Sequence, residues 1–236
     1  MAASAVYPHD PPVEIQPDVF FVHGSMRMGP GMRINRNMVA VRTAGDLTLL
    51  NPIRLSAEGE RALEALGRVR DAVRLGVFHG VDDAYTALRF GAKFWSLGGV
   101  ADYPEPKTDE VLREGGPLPI PDAQLFVFRE AAKPECCILL PRGDGLLISC
   151  DSIQHWESTS NCTLLAKGVT HLMGFMHPAN IGPPWKKMMT KPGGSLRPDF
   201  DRLLELPFDS LVGGHGQPLV GGAHEALRST VTRVFG

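Results

Sequence analysis

Three short apolar runs in this 236-residue chain each stop at a loop that carries histidine or aspartate. The first reads Phe78-His79-Gly80-Val81-Asp82-Asp83 and the second Leu147-Ile148-Ser149-Cys150-Asp151-Ser152. The third reads Leu211-Val212-Gly213-Gly214-His215-Gly216-Gln217-Pro218-Leu219. Open α/β sheets carry their ligand-binding groups on such loops, beyond the ends of strands. These loops restrict the layouts open to the chain more than residue propensities do.

The segments between the loops alternate in character. Residues 20–22 read as a short strand, and residues 24–31, rich in Gly and Met, as a loop. Residues 38–42 and 47–50 are β-prone runs around Thr43-Ala44-Gly45-Asp46, a hairpin signal. Ser56 is a plausible N-cap, with Glu58 and Glu60 in the first turn, for a helix over 58–75 whose apolar face is Ala62, Leu66, Val69 and Val73. Val77-Phe78 is a strand end. A helix over 84–95 follows, with Ala84, Ala87, Leu88, Gly91 and Ala92 on its face. Residues 125–128 form a strand. Residues 136–140 and 146–150 form two more around a Pro/Gly turn, residues 211–212 a last one, and residues 223–235 a final helix. Residues 155–198 read as irregular, a long insert or lid over the strand ends that carry Asp151 and His215. Two β-meanders interleaved with helices fit two mixed sheets packed together with helices outside.

With 43% hydrophobic and 21% charged residues the chain is globular in composition. A formal net charge of -2 gives no field for nucleic acid or an anionic membrane. No apolar run has the length to cross a bilayer. Residues 1–16 have no basic or apolar signal-like segment and read as a mobile lead-in to a single domain over 17–236. Cys136, Cys137, Cys150 and Cys162 show no C-x-x-C spacing, so reduced thiols packed as small apolar groups are expected, which suits the cytoplasm. No Gly-x-Ser-x-Gly elbow or phosphate loop is present.

In order and spacing, the three loops resemble the metallo-β-lactamase superfamily. Its signature is a His-x-His-x-Asp-His loop after a strand, a later loop with a metal-bridging Asp, and a Gly-His-Gly-type loop before the C-terminal helix. The resemblance covers nearly the whole chain and implies an αββα four-layer sandwich of two mixed sheets. His79 matches the first His of the signature, Asp83 its Asp, Asp151 the bridging Asp, and His215 the last His. Val81, Ala84 and Ala132 stand where three further histidines belong.

The resemblance implies a metal-dependent hydrolase acting on an ester, amide, lactone or phosphoester of a small-molecule substrate, with Asp83 or Asp151 orienting the attacking water. A two-metal site needs several ligands per ion. Four matching side chains supply fewer, so at most one divalent ion is expected, zinc first, with iron or manganese compatible with the same ligand types. The ligand candidates are His79, Asp83, Asp151 and His215, with His155 and His177 next, and Asp82, His23 and Glu135 as further replacements. The alternative is a ligand-depleted relative that keeps the fold for binding and holds no metal. An iron oxidoreductase ranks last because it needs more ligands than the sequence offers.

Overall fold

Ala44 and Gly45, at the turn expected from sequence, have φ of 51° and 90°. Two successive positive φ values give the tight hairpin turn that matches strand twist, and Gly accepts that conformation without a Cβ penalty. In the computed structural model, which describes residues 5–99 and 103–236, this turn joins β3 (Met32–Thr43) to β4 (Asp46–Leu50). The chain divides into two compact units. One comprises residues up to Leu112 together with Ser160–Lys167, the other Arg113–Thr159 with Gly168–Gly236.

Among the described residues the first unit holds a seven-stranded mixed sheet in simple chain order. Its strands before β3 are β1 (Val13–Gln16) and β2 (Val19–Gly29), and those after β4 are β5 (Arg68–Val73), β6 (Lys93–Ser96) and β7 (Glu110–Val111). The strands up to β4 pair antiparallel, and β4 to β7 run parallel. Phe20, Val22, Met38, Ala40, Leu47, Leu49 and Phe94 from the sheet pack with Leu63 of α1 (Ala57–Leu66) as its core.

Four sequence expectations need correction in this unit. The stretch 24–31 is mostly strand: β2 and β3 pair from Val19↔Val41 to Arg27↔Arg33, and only Pro30 and Gly31 turn. Backbone pairing with a long neighbour overrides the loop-like composition. The helix expected over 58–75 ends at Leu66. Ser56 caps it by accepting from the Gly59 N–H at 3.1 Å, but residues 68–73 form β5, parallel to β4. Arg-Val-Arg-Asp-Ala-Val fits a period of two as well as one of 3.6, and Arg68 and Arg70 point to solvent. The helix expected over 84–95 is α2 (Asp83–Phe90), followed by β6. Its buried residues are Asp83 and Thr86, with Leu88 left 87% exposed. The N-terminal stretch is already paired at β1, and His9 Nε2 accepts the Ser56 N–H at 2.8 Å.

The second unit holds a four-stranded mixed sheet in the order β13-β10-β9-β8. These strands are β8 (Gln124–Val127), β9 (Cys136–Leu140), β10 (Leu146–Ile148) and β13 (Ser210–Val212), close to the sequence reading. The expected insert is more regular than its Gly and Pro content suggests. It contains β12 (Asn180–Ile181), paired with β11 (Ile153–Gln154), and helices α4 (Pro183–Met189) and α5 (Arg197–Leu203). Edge-to-face contacts of Phe128 with Trp185 and Phe200, at 5.3 and 5.4 Å, tie both helices beside β8. Phe235 of α6 (Ala223–Phe235) closes on Phe200 at 5.7 Å. Helix α3 (Leu164–Leu172) starts in the first unit's residues and ends in the second's. The four cysteines are buried free thiols, as expected. No helix of the described residues is long and apolar enough to cross a membrane.

Candidate functional site

Strands β10 and β13 run parallel with Ile148 opposite Val212. Asp151 and His215 each lie three residues past that last pair, so the register delivers them side by side. Two hydrogen bonds extend the alignment: Ser149 N–H to Val212 O at 2.9 Å and Gly214 N–H to Cys150 O at 2.8 Å. Asp151 Oδ1 then stands 3.1 Å from His215 Nε2, with both residues buried.

The loop around His215 is held from its other side. Gly216 bridges His155, and Gln217 N–H donates to His155 O at 2.7 Å. Gly216 has φ +80°, and a Cβ there would lie 1.9 Å from His155 O, so only glycine fits. Trp156 stacks on the His215 ring at 6.3 Å between centroids with 17° between planes, and Phe175 backs Trp156 at 5.5 Å. The start of the expected insert thus does cover His215, whereas Trp185 and Phe200 further along serve the aromatic core.

Glu135, at the entry to β9, lies fully buried against the Asp151 loop. Its Oε1 accepts the Ser152 N–H at 2.8 Å. Burial, and secondly the Asp151 charge, push its carboxyl up to about 8, so at neutral pH it holds a proton.

In the first unit, His79 is 1% exposed on the loop between β5 and α2. Two arginines secure that loop. Arg36 of β3, itself 1% exposed, donates to Asp82 Oδ2 at 2.8 Å, to His79 O at 3.0 Å and to Pro52 O at 3.1 Å. Arg74 Nε donates to Asp83 Oδ2 at 2.5 Å. Burial pushes the Asp83 carboxyl up to about 6, and the Arg74 guanidinium keeps it from rising further. Neither arginine is singled out by sequence pattern: Arg36 lies forty-six residues from Asp82, and Arg74, nine residues before Asp83, follows two other arginines in Arg68-Val69-Arg70-Asp71-Ala72-Val73-Arg74.

The remaining candidates are placed as follows. Asp83 and Asp82 are engaged by Arg74 and Arg36. His23 bonds Asn37 Oδ1 at 2.9 Å and Ser160 Oγ at 3.0 Å, a structural role. His177 is exposed on the loop before β12. His155 is buried, with Nε2 at 3.2 Å from Glu157 Oε1, and its Nδ1 has no hydrogen-bond partner among the described residues. Ala132 and Val81 are exposed, as befits positions with no ligand to present.

No family model matches the chain, and no curated protein matches it by sequence. Solved structures do. The metallo-β-lactamase DIM-1, in a structure exposed to ceftazidime, aligns over 97% of this chain and 99% of its own with a TM-score of 0.65 at 10% identity. A metallo-β-lactamase from Hirschia baltica aligns over 94% and 97% with a TM-score of 0.62 at 13% identity. FIM-1 from Pseudomonas aeruginosa, in its mono-zinc form, aligns over 95% and 96% with a TM-score of 0.60 at 11% identity.

The chain has the metallo-β-lactamase fold. The α/β class with mixed sheets and helices, expected from the loops, is the one observed. For a metallo-β-lactamase fold its donors are few, yet those present suit a metal. His79, Asp151 and His215 each offer one imidazole nitrogen or carboxylate oxygen from a buried position. His155 Nδ1, on the loop beside His215, has no hydrogen-bond partner among the described residues and is not one of these three donors. Two imidazoles and a carboxylate make a donor set that Zn²⁺ accepts with a coordination position left open.

Proposed function

We propose that this protein is a metal-dependent hydrolase that uses one divalent ion, zinc in the first place, held by His79, Asp151 and His215. The observation that carries the reading is the Asp151–His215 pair, buried at 3.1 Å and fixed by strand register. When bound, a divalent ion would supply Lewis acidity toward an ester, amide, lactone or phosphoester and would lower the pKa of a water molecule. The protein's own groups do the rest. Asp151 accepts a proton or orients the attacking water, because Asp83 is committed to Arg74 and left to position the His79 loop. Glu135, protonated at neutral pH, keeps a second negative charge away from Asp151. Trp156 stacks on one face of His215 and shields it from bulk water.

A second reading has its own observation: Val81, Ala84 and Ala132 remove three ligands of the signature, which favours a relative that binds without catalysing. Elemental analysis of protein purified without added metal separates the two. The hydrolase reading expects close to one ion per chain, lost in Asp151→Asn with the fold retained, and turnover on an ester and phosphoester panel that is lost with the ion. Metal far below one per chain after zinc loading, with no turnover, would leave the binding role.

A further inference from the structure

The register that sets Asp151 beside His215 in one sheet has a counterpart in the seven-stranded sheet. Strands β5 and β6 run parallel with Val73 opposite Trp95, and the Arg74 N–H donates to Trp95 O at 3.0 Å. Arg74 and Ser96, each next along its chain segment, therefore stand together at the carboxyl ends of the two strands. Parallel strands offer ligands a crevice beyond those ends. A cavity of about 360 Å³ lies there, lined by both residues together with Thr108 and walled by Tyr103, Pro104 and Pro106. Gly98 and Gly99 complete the lining without side chains.

The cavity holds more hydrogen-bond donors than the chain uses. Arg74 is 4% exposed, and its guanidinium carbon lies 5.2 Å from the Phe94 ring centroid and 5.5 Å from that of Tyr103. Its Nε donates to Asp83, its Nη1 makes a long bond to Tyr103 O at 3.4 Å, and its Nη2 has no hydrogen-bond partner among the described residues. A guanidinium engaged through Nε keeps its far edge, one N–H from each Nη, for two parallel bonds to a single group. Ser96 Oγ accepts the Gly98 N–H at 3.0 Å and lies 2.7 Å from Thr108 Oγ1. One hydroxyl proton bridges that pair, and the other finds no acceptor among the described residues. No carboxylate lines the cavity among those residues. Buried donors left without partners are costly, and a bound acceptor relieves that cost.

We propose that this cavity binds a small oxyanion, a carboxylate or a phosphate group. Two of its oxygens take the Nη1 and Nη2 edge of Arg74, and one also takes the spare hydroxyl proton of the Ser96–Thr108 pair. The planar fork of arginine matches two oxygens of either group, and its charge strengthens both bonds. Tyr103, Pro104 and Pro106 give the rest of a small organic anion an apolar wall to lie against. A cation is turned away by the same guanidinium. Every residue of the site belongs to the first compact unit. The inference goes beyond the hydrolase reading and does not depend on it.

Titration of the full chain with sodium phosphate and, separately, with sodium acetate tests it, with ionic strength held constant by chloride. The arginine side-chain N–H signals are followed by NMR, and those of Arg74 are identified by their absence in Arg74→Lys. They should shift and saturate with a dissociation constant of about a millimolar, the range open to an anion of about five heavy atoms. Saturation by phosphate alone assigns a phosphate ligand, and by acetate alone a carboxylate. In calorimetry, Arg74→Lys keeps the charge but loses the fork, and Ser96→Ala with Thr108→Val loses the hydroxyls. Each should weaken binding about tenfold or more. Melting curves of the variants separate lost binding from lost folding, and the wild-type titration decides the matter even where a variant does not fold. The proposal is overturned by an Arg74 signal that neither anion shifts, by a shift that chloride reproduces, or by undiminished affinity in either folded variant.

Discussion

The guanidinium of Arg36 binds the main-chain carbonyl of His79 at 3.0 Å and, on the same side chain, the Asp82 carboxylate at 2.8 Å. One buried residue of β3 therefore holds both ends of the four-residue segment that presents His79. Arg36→Met leaves Asp82 buried without its cation. Removing one partner of a buried pair costs about 3–5 kcal/mol, and urea denaturation should show a loss of that size. Adding Asp82→Asn to the variant should recover part of it. A loss under about 1 kcal/mol would mean that the pair is not buried in solution.

Gly216 is the narrowest point of the His215 loop. Gly216→Ala places a Cβ against His155 O and forces a positive φ on a residue that resists it. The expected loss is more than about 1 kcal/mol, read as a lowered melting temperature. Zinc affinity measured by chelator competition should fall with it, because His215 shifts with its neighbour. Unchanged affinity in a folded variant would show that His215 is not a ligand.

Stability of the chelator-treated protein should decline as pH rises. Glu135 has its folded pKa raised to about 8 from an ordinary 4.5, so the stability contributed by its proton is full below about 4.5 and lost as pH passes through 8. Asp83, raised to about 6 from 3.8, acts in the same direction over a lower window. Melting curves of Glu135→Gln should be flatter than wild type between pH 5 and 9, and Asp83→Asn flatter between pH 4 and 6. Parallel wild-type and variant profiles would remove both carboxyls from the account.

Metal should stabilise the fold by mass action. Zinc at about 100 times its dissociation constant adds about 2.7 kcal/mol, visible as a raised melting temperature in wild type. Asp151→Asn and His215→Ala should each abolish the increment. A shift that survives both substitutions would place the ion elsewhere.

The fold was legible where turn chemistry and loops spoke. Residues 136–140, the turn after them and residues 223–235 were read to their observed limits, because Pro, Gly and Asp punctuate those segments. Residues 68–73 were misread because Val69 and Val73 satisfy a helical spacing as readily as a strand's. Residues 24–31 were misread because Gly and Met have little strand preference, and it is the pairing with β3 that decides. Of the site, Asp151 and His215 were legible as loop residues after strands. Their contact became visible only with the parallel register of β10 and β13. Arg36 and Arg74 left no local signal, since nothing in the sequence marks which of several neighbouring arginines finds a buried carboxylate, and tertiary structure alone decides it. His155 and His177 looked alike in sequence, and only burial tells them apart.

Asp151 and His215 are sixty-four residues apart along the chain, and the strand pair that aligns them encloses α3, α4 and α5. A contact of that span bears a large loop-closure entropy and forms only after the local hairpins on either side have closed. An ion bound there acts as a clasp: it slows unfolding far more than it hastens folding.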